Sequence, residues 1–391
     1  MSLNRKLISY GFADLEKSRR FLDAPELQGL NDDALFAGLA VAANPDLALQ
    51  SFVRLLAARR APVEATFSDE GRRSALFRLL GASEALGEFL MRHPEHLDVV
   101  VPGPAAPRVV EAADLRTVLL QAVQADPGED NPVAGVTGVD AHRALRIAYR
   151  RQLTDLAVRD LGHCAPVDYL PVVARELADL AAAALEASLA VARAELGEVY
   201  GSDVVRRVRL AVIAMGKCGA RELNYISDVD VVYVVEGDDL DDTTLTRIGT
   251  GLASGMSRGV YSPGPEPALW EVDANLRPEG KDGQLVRTLE SHVSYYRRWA
   301  KTWEFQALLK ARAVAGDLEL GRRYEEAIAP FVWASSQREG FVEAVRAMRR
   351  RVTDNIPREE EARQLKLGPG GLRDVEFTVQ LLQLVHGRLD D

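Results

Sequence analysis

Asp228 and Asp230 stand at the mouth of an otherwise hydrophobic run, in the stretch "MGKCGARELNYISDVDVVYV" from Met215 to Val234. Side chains on a strand alternate between faces, so these two carboxylates point the same way, about 7 Å apart along the chain. Two carboxylates so placed, together with water and phosphate oxygens, can hold one or two Mg²⁺ ions. Upstream, "MGKCGA" separates a strand ending at Met215 from a helical turn at "ARELNY". Its glycines allow backbone N–H groups to come close to a phosphate. A phosphate cradle and a metal-binding pair would then face one cleft. The stretch is not a Walker loop, because Cys218 follows Gly216-Lys217 where Ser or Thr is required, and it is not a dinucleotide fingerprint.

A third acidic strand is expected in "LWEVDANLRPEGKDG". Asp273 and Glu271 share its face, and Asp273 lies nearer the strand end. A third carboxylate suits a site that holds metals while substrate oxygens exchange, and it could also orient or deprotonate an attacking group. Alternatively, Asp273 caps the turn before Pro278. Arg277 and Lys281 follow in a loop that could balance phosphate charge.

The elements around these residues follow from composition and period. A chain of 391 residues is too long for one small core. Its formal net charge of -10 makes nucleic acid a poor default partner, since phosphate neutralisation needs an excess of Lys and Arg. Two cysteines, Cys164 and Cys218, exclude a disulfide framework or a Cys-rich zinc site. "MSLNRKLISYGFADLEKS" lacks the apolar core of a signal peptide, and the alanine-rich "ELADLAAAALEASLAVARAEL" is interrupted by Glu176, Asp179, Glu186 and Arg193. The expectation is a cytoplasmic protein with no membrane partner.

Residues 1–125 read as a helical region, with Asn44 as an N-cap, Pro45 at the first helical position, and Leu49, Phe52, Val53 and Leu56 on one face. "ADPGEDNPVAGVTGVD" reads as a linker. From His142 to about Leu196 the chain is helical, with Ala181, Ala184, Leu185, Ser188 and Leu189 forming a close-packing face. "RVRLAVIAM", "DVDVVYVVE" and "ALWEVDANL" read as strands, "TTLTRIGTGLASGMS" as a helix. "SYYRRWAKTWEFQALLKARAVAG", "GFVEAVRAMRRRVTDNI" and "GLRDVEFTVQLLQLVHG" read as helices. This gives an α+β chain: a helical region at 1–125, a catalytic sheet domain at 140–320, and a C-terminal helical region at 321–391 that is expected to be incomplete.

Taken together, Gly219-Ala220, Asp228-x-Asp230 and Asp273 resemble the polymerase-β-like nucleotidyltransferase superfamily. More narrowly, "GKCGARELNYISDVDVVY", "EVDANLRPEGKDGQLV", "YYRRWAKTWEFQALLKARAVAGD" and "LKLGPGGLRDVEFTVQLLQLVHG" resemble the glutamine synthetase adenylyltransferase/adenylyl-removing family, in order, from about residue 70 onward. The resemblance implies a mixed sheet with helices, flanked by helical regions. It implies Asp228, Asp230 and Asp273 as Mg²⁺ ligands, and Gly216, Lys217, Gly219 and Ser227 on the phosphate side. Family members carry two such halves; a single domain behind a long helical segment resembles the half that removes AMP from glutamine synthetase by phosphorolysis, giving ADP. The implied partners are glutamine synthetase, phosphate and ADP, with a PII-type signalling protein acting through the full-length enzyme. The chain departs from the family at Ala220, where a second glycine is usual, and at Asn275, where arginine is usual.

Further readings are weaker. Trp303 is expected to pack in the core rather than stack on adenine. "GPGGLRDVEF" favours anions at a helix N-terminus, with Arg373, Glu376, Gln380 and Gln383 as a polar stripe turned to the cleft. "RAMRRRVTD" reads as a solvated face, and the histidines receive no chemistry. The competing functions are the same fold working as an ATP-dependent adenylyltransferase, a nucleotidyltransferase for a small molecule, and a non-catalytic nucleotide-binding module.

Overall fold

The computed structural model describes residues 3–102, 108–354, 356–357, 359–360 and 363–387. These fall into two compact units, one built from the chain up to Leu115 together with Ile147–Leu180, the other from Arg116–Arg146 and Ala181 onward.

The first unit is helical. Its long helix, Pro45–Ser68, begins as expected: the Asn44 side chain accepts from the Leu47 N–H at 3.0 Å, and Pro45 occupies the first turn, where it forfeits no hydrogen bond. Leu49, Phe52, Val53 and Leu56 are buried, and Phe52 packs against Phe67 and Phe77. Ser83 ends one helix, Glu70–Ala82, and caps the next, Glu84–Arg92. Buried charge here is matched in place: Arg159 pairs with Glu176 and Asp155.

The second unit contains the sheet. Strands β1 (Val208–Ala214) and β2 (Val229–Gly237) run antiparallel, and their apolar stretches Leu210–Ala214 and Val231–Val235 are buried, while Arg209, Asp230 and Glu236 are half-buried. The remaining strands are β3 (Val272–Asp273), β4 (Val286–Thr288) and β5 (Arg312–Gly316). β3 and β4 pair with β2 in parallel, and β5 pairs with β1 antiparallel. The fold is the expected α+β mixed sheet with helical flanks.

Several local expectations are corrected. The third strand is far shorter than "ALWEVDANL", because only Val272 and Asp273 reach β2. "SYYRRWAKTWEFQALLKARAVAG" is not one helix. It forms Leu289–Arg298, then Thr302–Leu308, then strand β5. β5 is made of small residues and turns on Gly316 at φ +74, where a Cβ would lie 2.0 Å from the Leu210 carbonyl oxygen. "MGKCGA" is a single helical turn, Gly216–Gly219.

Helices Pro166–Tyr200 and Asp242–Tyr261 pack closely through small residues. Ala181, Ala184, Leu185, Ser188 and Leu189 are buried, and the Ser188 hydroxyl donates to the Met256 carbonyl at 2.8 Å. Arg146, 2% exposed, donates to the carbonyls of Gly259, Ser262 and Glu266, so one guanidinium holds the loop that leads into β3. Glu186 accepts from Arg193 and from the Gly316 N–H, tying this helix to the end of β5. Among the described residues no helix is long and apolar enough to cross a membrane. Cys164 is exposed and Cys218 buried, and neither forms a disulfide among the described residues.

Candidate functional site

The parallel register of β2 and β3 sets Val229 opposite Val272 and Asp230 opposite Asp273. With Asp228 just before β2, each of the three aspartates brings a carboxylate oxygen to within 4.8 Å of the others. Asp273 also accepts from the Asn275 N–H at 2.7 Å, so it both caps the turn and faces the pair. Glu271 is exposed and contributes its backbone carbonyl to Val229.

The cluster is electrostatically strained. Burial first, then the charges of Asp228 and Asp273, push the Asp230 carboxyl up to about 6, while Arg373 and Lys366 pull it down. Three acceptor-only carboxylates converging this closely, two of them half-buried, form the hard oxygen donor set that suits a divalent cation such as Mg²⁺.

The glycine turn abuts this cluster. Gly216 has φ +52, and a Cβ there would lie 2.5 Å from Asp230 Oδ2. A Cβ on Gly219 would lie 1.8 Å from the Lys310 carbonyl oxygen and 2.6 Å from that of Ala214. Gly219 is therefore required by backbone packing of the turn against β1 and the approach to β5. The N–H groups of Gly219 and Ala220 are spent within the turn, on Met215 and Gly216.

A cavity of about 260 Å³ opens onto Asp228 and Asp230, while Asp273 does not line it. Gly216, Lys217, Ser227, Asp228 and Asp230 line one side; Gln306, Lys310, Lys366, Arg373, Glu376 and Gln380 line another. Helix Leu372–His386 thus turns Arg373, Glu376 and Gln380 of its polar stripe to the cleft. Arg277 does not line the cavity: its guanidinium donates to the carbonyls of Gly283, Ala274 and Lys281 and fixes the loop after β3. Lys281 is exposed. Trp303 is only half-buried and forms part of the cavity wall, contrary to the core position expected for it.

Lys366 was not identifiable from sequence. Its neighbour in space, Asp230, is remote in the chain, and only the glycine-rich "GPGG" ahead of the last helix marked the region. Lys310 bridges Glu222 at 2.9 Å and Glu376 at 3.3 Å. In "RAMRRRVTD", Arg346, Arg350 and Arg351 are exposed, while Arg349 pairs with Asp374 and donates to the Gly368 carbonyl at 3.0 Å. Asn355, the last residue but one of the stretch expected as that helix, lies outside the described residues.

A mixed sheet that presents three aspartates from paired strands beside a glycine turn defines a nucleotidyltransferase fold. The family model for glutamate-ammonia ligase adenylyltransferase matches residues 73–327, and the chain belongs to that family. A second model, GlnD PII-uridylyltransferase, matches residues 346–390. The chain is 52% identical over 97% of its length to a bifunctional glutamine synthetase adenylyltransferase/adenylyl-removing enzyme of Leifsonia xyli subsp. xyli, covering 38% of that protein. It is 48% identical over 98% of its length to the protein of the same name from Streptomyces coelicolor, covering 37% of it. A Cutibacterium acnes relative with that name is 46% identical over 90% of the chain. The chain thus spans a little over a third of the length of these curated relatives.

Proposed function

We propose that this chain catalyses removal of AMP from adenylylated glutamine synthetase, with inorganic phosphate attacking the phosphorus of adenylyl-tyrosine to give ADP and unmodified enzyme. The observation that carries the reading is the single cavity in which Asp228 and Asp230 face Lys217, Lys366 and Arg373. Asp228, Asp230 and Asp273 would hold one or two Mg²⁺ ions. Bound there, the metal supplies charge neutralisation at the phosphoryl oxygens and at the developing phenolate.

The protein's own groups divide the remaining work. Lys217 and Lys366, which carry no ion pair among the described residues, attract the attacking phosphate. Arg373 sits against Glu376 at 3.3 Å and adds a donor fork near Asp230. Ser227 and the Gly216 turn bound the opposite wall. The cation inventory supports this direction. Lys310 is neutralised by two glutamates, Arg277 is turned to backbone carbonyls, and Asn275 brings no charge. What is left suits one phosphate dianion better than the polyphosphate tail of ATP. We place the protein in the cytoplasm, with glutamine synthetase as its protein substrate; a PII-type signalling protein would act through the longer enzyme.

The test is a paired assay on purified protein with Mg²⁺. One arm follows phosphate-dependent ADP release from adenylylated glutamine synthetase. The other follows pyrophosphate release from ATP with the unmodified enzyme. Activity in the first arm is expected. Activity in the second arm alone would reverse the direction and leave the metal site standing.

A further inference from the structure

Gln306 and Gln380 line the same cavity as Asp228 and Asp230, and they are 3% and 7% exposed. Gln306 Nε2 donates to Gln380 Oε1 at 2.7 Å, and Gln380 Nε2 donates to Glu376 Oε1 at 3.3 Å. A side-chain amide can be turned over with little change of shape, so the direction of such a chain must be set by an end that cannot reverse. Glu376 is that end. It is ion-paired to Lys310 and Arg373, and a carboxylate only accepts hydrogen bonds. Gln380 must therefore turn its NH₂ to Glu376 and its oxygen to Gln306. Gln306 must then spend its NH₂ on Gln380, which leaves Gln306 Oε1 without a protein donor.

A buried acceptor held in one orientation and left unmatched by the protein calls for a donor from whatever enters the cavity. Trp303 and Phe377 supply flat apolar wall beside it. Resting on the nucleotidyl reading, we propose that the Gln306–Gln380–Glu376 relay is the base-selecting subsite: Gln306 Oε1 accepts from the exocyclic amine of adenine. A purine carrying a carbonyl at that position would set acceptor against acceptor. Gln306 makes the contact, and Gln380 and Glu376 position it. The relay explains why a catalytic cavity carries two buried amides in series, which metal and phosphate chemistry does not require.

The test is calorimetric titration of the whole chain, in Mg²⁺, with ADP and with inosine diphosphate, which replaces the amine by a carbonyl. The wild-type protein is expected to bind ADP at least about tenfold more tightly. Gln306→Leu should bring the two nucleotides within about threefold of each other, chiefly by weakening ADP. Glu376→Gln, at a partly exposed position that tolerates the change, removes the end that fixes the amide direction and should narrow the preference in the same sense. Equal binding of the two nucleotides by the wild type, or an unchanged preference in both variants, overturns the relay while leaving the nucleotidyl reading intact. Binding of neither nucleotide overturns both.

Discussion

His292 offers a test of how the strand that carries Asp230 is held, because its charge state is set by burial behind that strand. It lies on helix Leu289–Arg298, is 1% exposed, and donates from Nε2 to the Tyr233 carbonyl on β2 at 3.2 Å. Its Nδ1 has no partner. Burial pushes its pKa down to about 4; the hydrogen bond to Tyr233 opposes this, and the Arg287 charge adds to it. Tyr324 packs edge-on against the ring and Tyr296 stacks on it, so no carboxylate is at hand to stabilise the imidazolium. A depressed folded-state pKa means that the unfolded chain, titrating near 6.5, takes the proton first as pH falls. Stability is fully present above about pH 6.5 and is lost as pH drops towards about 4. The gap of about 2.5 units corresponds to about 3 kcal/mol in total, and about 2 kcal/mol of it is gone at pH 5. The assay is urea unfolding followed by tryptophan fluorescence at pH 7.5 and pH 5. All four tryptophans, 270, 299, 303 and 333, lie in the sheet-containing unit, so the signal reports the unit that contains His292. His292→Gln retains a donor for Tyr233 and removes the titration. Carboxylate contributions cancel in the difference between the two proteins. Identical pH dependence in wild type and variant would refute the reasoning.

Asp228→Asn and Asp230→Asn should each lower turnover by more than the 10- to 100-fold (roughly) that outer-shell partners of a metal are worth, while unfolding in EDTA becomes no easier, since one of three mutually repelling carboxylates is gone. Mg²⁺ at 100 times its Kd should stabilise the wild type by about 2.7 kcal/mol and leave Asp230→Asn unmoved; equal stabilisation of both would argue that the ion binds elsewhere. Asp273→Asn should be far more harmful than Glu271→Gln in the same activity assay, because only Asp273 faces the pair. Gly219→Ala should destabilise by at least about 2 kcal/mol in urea unfolding, because its Cβ would meet backbone oxygen on two sides. Arg146→Met should cost about 3 kcal/mol and lower activity as well, since the Gly259 carbonyl at the end of helix Asp242–Tyr261 and the Ser262 and Glu266 carbonyls of the loop before β3 lose their donor.

The carboxylates were legible in the sequence because a strand has a rigid period. Asp228 and Asp230, two apart, declare a common face before any pairing is known; that Asp273 joins them was implied by the family resemblance, and the parallel register of β2 and β3 brings it there. The N-terminus of helix Pro45–Ser68 was legible for a similar reason, since Asn44 and Pro45 act locally. The other wall of the cavity was legible in part: the stripe of Arg373, Glu376 and Gln380 was expected at the cleft and lies there, but Lys366, Gln306 and Lys310 on the same wall depend on contacts between segments remote in the chain. β5 was hidden because Arg312–Gly316 carries a single branched side chain, Val314, beside an arginine, two alanines and a glycine, too few to mark a strand. Gly219 was legible as a necessary glycine, but its reason was not. The sequence suggests approach to a phosphate, whereas the structure shows approach to the Lys310 carbonyl.

That approach links the two walls. Lys310 fills the space above Gly219 with its backbone, and with its side chain reaches Glu222 and Glu376. A shift of the turn beside Asp230 is therefore felt at Glu376, and through Gln380 at Gln306. The carboxylates themselves stand at the start of β2, just before it, and on β3, and β2 is buried from Val231 to Val235. Mutual repulsion among the three aspartates cannot relax by spreading the strands without opening that core. The repulsion is retained in the folded protein, and a cation entering the cluster gains the free energy that the fold has stored there. The helical wall has no such constraint. Its ion pairs with Lys310 and Arg373 are partly exposed, each worth little alone, and they can re-form around a ligand. A rigid acidic face set against an adjustable cationic one fits the proposed transfer between two phosphate-bearing substrates: a metal held at the aspartates would keep a fixed position, while the groups proposed to grip the anion and the base would close on one and release the other.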